Sequence, residues 1–242
     1  MIKSLNRGIG QAVDQYDMIQ DGDRIAVGIS GGQDSLTLLW FLQHRLSHIP
    51  VHYDIFPVYI DPGFDRNMGI LMKEHCSRWG LHLHVDVTDH GIRAHSLENR
   101  ENPCFLCSRL RRQRLFEIAE SLGCRKLALG HTRDDIIETL FLNICYAGSI
   151  CTMTPAQDFF KGKYTVIRPL AFADAEDIRE FARQQGFPVF ENPCPTSKTS
   201  KRKEIKEILQ RLYQSNPNVK SNIFRSLSHV RTEYLLKDTS KR

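Results

Sequence analysis

Long hydrophobic runs are missing from this chain. No stretch of its 242 residues approaches the ~20 apolar residues that a membrane-spanning helix needs. The opening MIKSLNRGIGQAVDQYD is amphipathic and lacks an uninterrupted apolar core, so it does not read as a signal peptide. Internal repeats and low-complexity tracts are absent too, which argues against solenoids and disordered linkers. These absences give the expectation of a cytoplasmic protein without membrane contact. Its seven cysteines are then expected to be thiols, metal ligands or redox groups rather than a disulfide framework.

What is there is ordinary in bulk and uneven in detail. A hydrophobic content of 41% with 25% charged residues suits a globular protein, and the length suits one α/β domain with or without an appendage. The net charge of +5 is concentrated at the end. Residues 195–242 hold 12 Lys/Arg against 4 Asp/Glu, which leaves residues 1–194 at −3. A near-neutral body with a basic tail is what a polyanion-binding enzyme needs, although charge alone fits a solvated helix face as well. The expected division is therefore 1–194 as the catalytic domain and 195–242 as a basic helical extension packed on it.

The body alternates strand-like and helix-like segments. Strands are predicted at Arg24–Ile29, Ile55–Ile60, Leu81–Val87, Arg125–Leu129 and Tyr164–Ile167. Helices are predicted at Ser35–His48, Asn67–Trp79, Cys104–Leu122, Asp134–Ala147 and Asp174–Gln185, with one or two more from Lys201 onward, and residues 148–168 read as a loop with one short strand. This alternation predicts a doubly wound, mainly parallel α/β sheet, whose ligands sit beyond the carboxyl ends of the strands. Three turns of functional character, after Ile29, Ile60 and Leu129, all fall at such ends.

The first is Ser30-Gly31-Gly32-Gln33-Asp34-Ser35, between a predicted strand and a helix. Glycines let the backbone approach an anion, and the helix start aims N–H groups and a partial positive charge at it. Ser30 and Ser35 can add hydroxyl donors. Asp34 is out of place beside a phosphate unless it carries Mg2+ or orders the turn. The loop holds no lysine, so it is not the GxxxxGK[ST] phosphate loop. The second is Asp61-Pro62-Gly63-Phe64. The third is Gly130-His131-Thr132-Arg133-Asp134-Asp135, whose paired acids would be capping residues if they stood alone.

The hexapeptide SGGQDS resembles the signature of the PP-loop family, the N-type ATP pyrophosphatases. The resemblance implies a loop that holds the leaving pyrophosphate of ATP while the α-phosphate is attacked. It also implies a nucleotide site that includes Gly130, His131, Asp134 and Asp135, and a catalytic or Mg2+-binding role for Asp61.

Cysteines narrow the reading. Pro103-Cys104-Phe105-Leu106-Cys107 puts a CxxC on the first turn of a helix, where the helix terminus favours thiolates. Zinc, an iron–sulfur cluster and a redox dithiol all use such a pair, but no second pair or histidines stand at zinc spacing. Cys194 lies in a proline-bracketed loop, while Cys76, Cys124, Cys145 and Cys151 fit core positions better. The segments CFLCSRLRR, LALGHTRDDIIETLFLN and VIRPL, with FRSL near the end, together resemble the tRNA 2-thiocytidine synthetase branch of the family over nearly the whole chain. That resemblance implies a [4Fe-4S] cluster on Cys104, Cys107 and Cys194, with ATP, Mg2+, a tRNA substrate, a separate sulfur donor and a dimer. Asp61, Asp134 and Arg111 are the catalytic candidates; Arg111 and Arg112 follow one turn after Cys107, where they can face negative charge on substrate or adenylate or, equally, form a solvated basic face. The branch often carries a second CxxC around the third ligand, followed by Gly-Ser-Gln. Here Cys194-Pro195-Thr196-Ser197 and a lysine-rich run follow instead. The competing expectation is a cluster-free ligase of the lysidine-synthetase type with an amine nucleophile.

Overall fold

The structure is a computed structural model and describes residues 2–45, 49–65, 67–190, 193–196 and 200–236. Among these, six strands form one sheet: β1 (Asp23–Ile29), β2 (Tyr53–Asp61), β3 (His84–Val87), β4 (Lys126–Leu129), β5 (Ala156–Phe159) and β6 (Tyr164–Ile167). Their spatial order is β3-β2-β1-β4-β6-β5, and every pair is parallel except β5 with β6. The expected doubly wound α/β fold is present. From β1 the chain winds outward through β2 and β3, then returns across to β4, so the switch in winding lies between β1 and β4. That is where such folds open a ligand crevice.

Helices α2 (Gln33–Arg45), α3 (Asn67–Arg78) and α7 (Ala175–Gln184) share one apolar cluster with β1, containing the fully buried Phe41, Met72 and Phe181. Helix α1 (Ile2–Gln15) joins the same cluster through Leu5, Ile9 and Ala12, which recur at helical spacing on one face. On the other side of the sheet α5 (Pro103–Ser121) buries Phe116, Ile118 and Ala119 against β1, β2, β4 and β6. A two-pronged ion pair from Arg114 to Asp86, at 2.8 and 2.9 Å, ties α5 to β3. It holds the Asp86 carboxyl below its usual range.

Four local features differ from the sequence pattern. Strand β3 starts at His84 rather than Leu81, because the Leu81 N–H closes the end of α3 on the Cys76 carbonyl at 3.1 Å. Helix α6 (Arg133–Leu142) passes into a π turn at Asn143–Ala147, where one α-helix was expected. The stretch read as loop around residues 148–168 carries an antiparallel edge strand, β5. It lacks period-two alternation and forms because the turn at 160–163 folds it back on β6. A short helix α4 (His90–Ala94) was likewise invisible in the pattern.

The C-terminal helices α8 (Lys201–Ser215) and α9 (Val219–Ser226) pack on α6. Ile205 and Leu209 are buried against Ile137, with Tyr213, Ile223 and Phe224 beside them. Part of the basic run Lys198–Lys206 lies outside the described residues, at 198–199.

Candidate active site

The phosphate loop is pre-formed. Gly31 adopts φ +83°, a conformation that side chains resist. The Ser35 hydroxyl donates to the Gly32 carbonyl at 2.8 Å, the Ser30 N–H donates to Ser35 Oγ at 3.1 Å, and the Gly32 N–H donates to Ser30 Oγ at 3.3 Å. The two serines therefore brace the turn while the N-terminus of α2 opens toward the crevice. Gly130, at the end of β4, lies directly behind it. A Cβ there would stand 3.0 Å from the Asp34 carbonyl carbon and the Ser35 nitrogen.

Asp34 is partly buried beside Asp135 and Asp134. Loss of solvent, then repulsion from Asp135, pushes its carboxyl up to about 6 in spite of Arg179 and Lys206 nearby. Asp135 forms a capping box with Thr132, whose N–H donates to it at 2.9 Å, and its other oxygen accepts from Arg202 of α8 at 3.1 Å. Asp134 accepts the Ala175 N–H at 2.8 Å and pairs with Lys220 of α9 at 2.7 Å. The capping geometry considered for these acids is thus present, and both also take cations from the C-terminal helices.

His131 is deprotonated at neutral pH. Burial, then the charge of Arg168, lowers it to about 4. Because the Arg168 Nε–H donates toward His131 Nδ1 at 3.3 Å, the ring proton belongs on Nε2. Arg168 itself is buried and lowered to about 10 by desolvation and then by Arg112. It is anchored on the Thr154 carbonyl at 2.6 Å. Its role escaped the sequence reading, although an arginine just past the end of a buried strand is a usable signal.

Asp61 ends β2 at 1% exposure. One carboxylate oxygen accepts the Gly63 N–H at 2.7 Å, and the other is buried with no hydrogen-bond partner among the described residues. Arg111 Nε is buried without a partner as well. Both residues act electrostatically on Tyr59, and Arg111 also acts on Cys107. An orphaned carboxylate and an orphaned guanidinium nitrogen between the strand end and a cysteine are groups short of a ligand.

The three cysteines singled out by their surroundings converge. Asn102 caps α5 by accepting the N–H groups of Cys104 and Phe105, and Pro103 fills the first position, which starts the helix at the CxxC. The Thr196 hydroxyl lies 3.5 Å from Cys104 Sγ and 3.4 Å from Cys194 Sγ. Cys107 is raised by burial, with Cys194 and Cys104 adding to the rise and Arg111 opposing it. His95 completes the group: its Nε2 lies 3.1 Å from Thr196 Oγ1 and 3.9 Å from Cys194 Sγ. Phe190, four residues before Cys194, would touch a Cβ at Gly31, so the same strand of chain joins the phosphate loop to the thiols. A signal passed over in the sequence is the tetrapeptide Glu-Asn-Pro-Cys, which occurs at both 101–104 and 191–194.

A thiol set of this kind suits a soft metal or an iron–sulfur group. Among the described residues no three ligating side chains close on a single-ion site. A cluster, whose separate irons each take one thiolate, does not require that closure. Cys76 and Cys124 are buried in the apolar clusters, and Cys145 and Cys151 are exposed on the far end of α6.

With this geometry in place, comparison with known proteins is specific. The PP-loop domain model matches residues 1–212. A tRNA-cytidine(32) 2-sulfurtransferase of Pelobacter propionicus is 39% identical over 239 residues, covering 98% of this chain and 89% of that one. The protein of the same name from Geotalea uraniireducens is 41% identical over 231 residues, covering 94% and 92%. Among solved structures, a U34-tRNA thiolase of Methanococcus maripaludis with its [4Fe-4S] cluster superposes with a TM-score of 0.80 at 24% identity, covering 100% of this chain and 84% of that one. The fold, the phosphate loop and the relatives agree: the chain belongs to the PP-loop family, in the branch of the tRNA-cytidine(32) 2-sulfurtransferases.

Proposed function

We propose that this protein is an ATP-dependent tRNA sulfurtransferase that exchanges the C2 carbonyl oxygen of a cytidine for sulfur. The observation that carries the reading is the meeting of Cys104, Cys107 and Cys194 beside the phosphate loop, at the end of the sheet that also bears Asp61. The base oxygen attacks the α-phosphate of ATP and pyrophosphate leaves. Sulfide then adds at C2, and AMP departs with the original oxygen.

The protein's own groups divide this work. Ser30, Gly31, Gly32 and Ser35 would receive the departing pyrophosphate on their N–H and hydroxyl groups. Asp34 and Asp61 would share a Mg2+ with the phosphates. That ion commonly takes only one or two carboxylates and keeps several waters, so a wider protein ligand set is not needed. His131 Nε2–H, held by Arg168, and Gly130 would face the nucleotide, with Asp134 and Asp135 fixing the start of α6. Arg111 would offset charge on the forming adenylate. Cys104, Cys107 and Cys194 would hold a [4Fe-4S] cluster, which would supply iron able to bind sulfide.

The target cytidine is expected in an anticodon loop, where bases leave the stack readily. The sulfur is expected from sulfide or a persulfide carrier. Residues 1–194 would form the catalytic domain and 195–242 a basic extension that docks tRNA phosphates. No helix among the described residues is long and apolar enough to cross a membrane, which fits the proposed cytoplasmic site of action. Exposed Ile144, Ile150 and Val230 leave an apolar face for the homodimer expected of this branch.

Two measurements test the proposal. Protein purified and reconstituted without oxygen is expected to carry about four irons and matching acid-labile sulfide per chain, to lose them in Cys194→Ala, and to form 2-thiocytidine in tRNA with release of AMP. Stoichiometric zinc, or iron unaffected by Cys194→Ala, would overturn the cluster. For the tail, tRNA affinity is expected to fall ~100-fold or more between 50 and 200 mM salt as cations release counterions from several phosphates. A salt-independent Kd would remove it as the docking surface.

A further inference from the structure

Helix α5 has two working faces. Cys107 and Arg111 turn inward, toward Tyr59 and the thiols. Phe105, Arg109, Arg112 and Phe116 recur at spacings of four, three and four, so they lie along one stripe, whose first three residues are exposed and whose last, Phe116, dips into the core beneath the β5–β6 hairpin. The stripe is about 16 Å long at the helical rise, room for a few nucleotides of an extended strand. It starts one residue past Cys104 with Phe105, which is 59% exposed and lies under the Arg109 guanidinium at 5.6 Å from the ring centre.

The other end of the stripe opens into a cavity of roughly 510 Å³ between α5 and the β5–β6 hairpin. Its walls hold the rings of Phe116, Phe159, Phe160 and Tyr164, with Arg109, Arg112 and Lys163 at the rim. Phe160 stands edge-on to Phe116 at 5.3 Å and to Tyr164 at 6.0 Å, yet remains 64% exposed at the hairpin tip. The tip holds Phe160 and Lys161 at φ +52° and +60°. Two consecutive side-chain-bearing residues in the left-handed region are uncommon, and such conformations concentrate at binding sites.

Rings alternating with guanidinium groups suit a strand that offers flat bases and phosphates in turn. Glu117 and Glu120 also line the cavity. The nearby ion pairs Arg109–Glu101 at 3.0 Å and Lys163–Glu120 at 2.6 Å are about half exposed. Such pairs are weak and exchange readily for a phosphate. Arg112 connects the stripe to the nucleotide site, since its charge lowers both Arg168 and His131.

We propose that this stripe and cavity form a docking surface for single-stranded RNA. One base stacks on the exposed ring of Phe160, which the buried Phe116 and Tyr164 support from beneath, and neighbouring phosphates rest on Arg109 and Arg112. The surface would hold the loop of the tRNA a few nucleotides from the base presented to the cysteines. This rests on the tRNA reading above and goes further by assigning where loop nucleotides away from the target are gripped.

The test is equilibrium binding of a fluorescently labelled tRNA transcript by the full chain, for wild type, Phe160→Ala, Phe160→Trp and Arg109→Glu. Phe160→Ala and Arg109→Glu are each expected to raise Kd about tenfold or more, while Phe160→Trp stays near wild type. ATP binding and iron content should be the same in all four, which separates a lost grip from a lost fold. If wild type binds no tRNA, the functional reading itself falls. If wild type binds and both weakening variants stay within twofold of it, the surface is wrong. Unchanged tRNA affinity with turnover lost only when a persulfide-bearing protein supplies the sulfur would assign the surface to that carrier and overturn the proposal.

Discussion

Replacing Asp34 with asparagine is expected to stabilise the ligand-free protein and at the same time to remove its activity. The carboxyl rises from 3.8 to about 6 in the fold, chiefly by burial and then by Asp135. A raised acid is one whose charged form the fold disfavours. Between pH 3.8 and 6 the folded state holds the proton more tightly than the unfolded chain does. Stability therefore falls as pH climbs through that window, and the full cost stands above it. A shift of this size corresponds to ~3 kcal/mol, of which asparagine, itself a polar group to be buried, recovers ~1–2 kcal/mol. For a chain of this length the melting temperature at pH 7.5 should rise by ~2–8 °C, and the gain should vanish near pH 4.

The same substitution should lower thiolation by ~100-fold or more, as for loss of a group that serves the charged transition state. Mg2+ with ATP should stabilise wild type more than the variant, because a ligand that binds only the folded state adds stability in proportion to its affinity. Thermal melts at both pH values, with and without Mg2+-ATP, read all of this. A variant no more stable than wild type at pH 7.5 would show that Asp34 is not a disfavoured charge. A variant with normal turnover would remove it from the site.

Gly130→Ala is the second change with a large expected effect. The new Cβ would press on the Asp34 carbonyl carbon and Ser35 nitrogen at 3.0 Å and on the Asp34 carbonyl oxygen at 3.1 Å. These are backbone atoms at the start of α2, and they cannot swing aside as a side-chain tip can. The phosphate loop must retreat by a fraction of an ångström. Misplacement on that scale costs up to ~100-fold in a reaction that depends on alignment, and the loss should appear in ATP binding as well as turnover. Gly10→Ala is the control. It lies within α1, its Cβ would meet only Arg45 Nη1 at 3.6 Å, and helix propensity favours it by ~1 kcal/mol. Normal ATP affinity in Gly130→Ala would mean that the loop has slack the packing does not show.

The division of labour between sequence and tertiary structure follows from the range of the interactions involved. Segments whose signal is local were legible in the sequence: the glycine loop between a short apolar run and a helix, the CxxC behind a capping Asn-Pro, and the strand–helix alternation that makes the sheet parallel. Asp34 stood out there as a misplaced acid, and the fold turns that oddity into a charge raised by burial. Elements whose signal is not local were missed. Strand β5 exists only because β6 offers it an edge, and α4 is held by the Gly91 N–H reaching back to the Pro62 carbonyl at 2.8 Å.

At the site, the sequence by itself singled out the phosphate loop, the CxxC and the proline-bracketed Cys194 by their short contexts, and the roles expected of the acids and of the three cysteines as a set came from the family resemblance. It did not show that Thr196 and His95 would stand among the sulfurs, that Arg168 would fix the proton of His131, or that Lys220 and Arg202 would reach back to Asp134 and Asp135. Those pairings join residues from about 37 to about 100 positions apart. They depend on where the sheet reverses its winding and on how α8 and α9 fold back on α6, and no window of neighbouring residues carries that information.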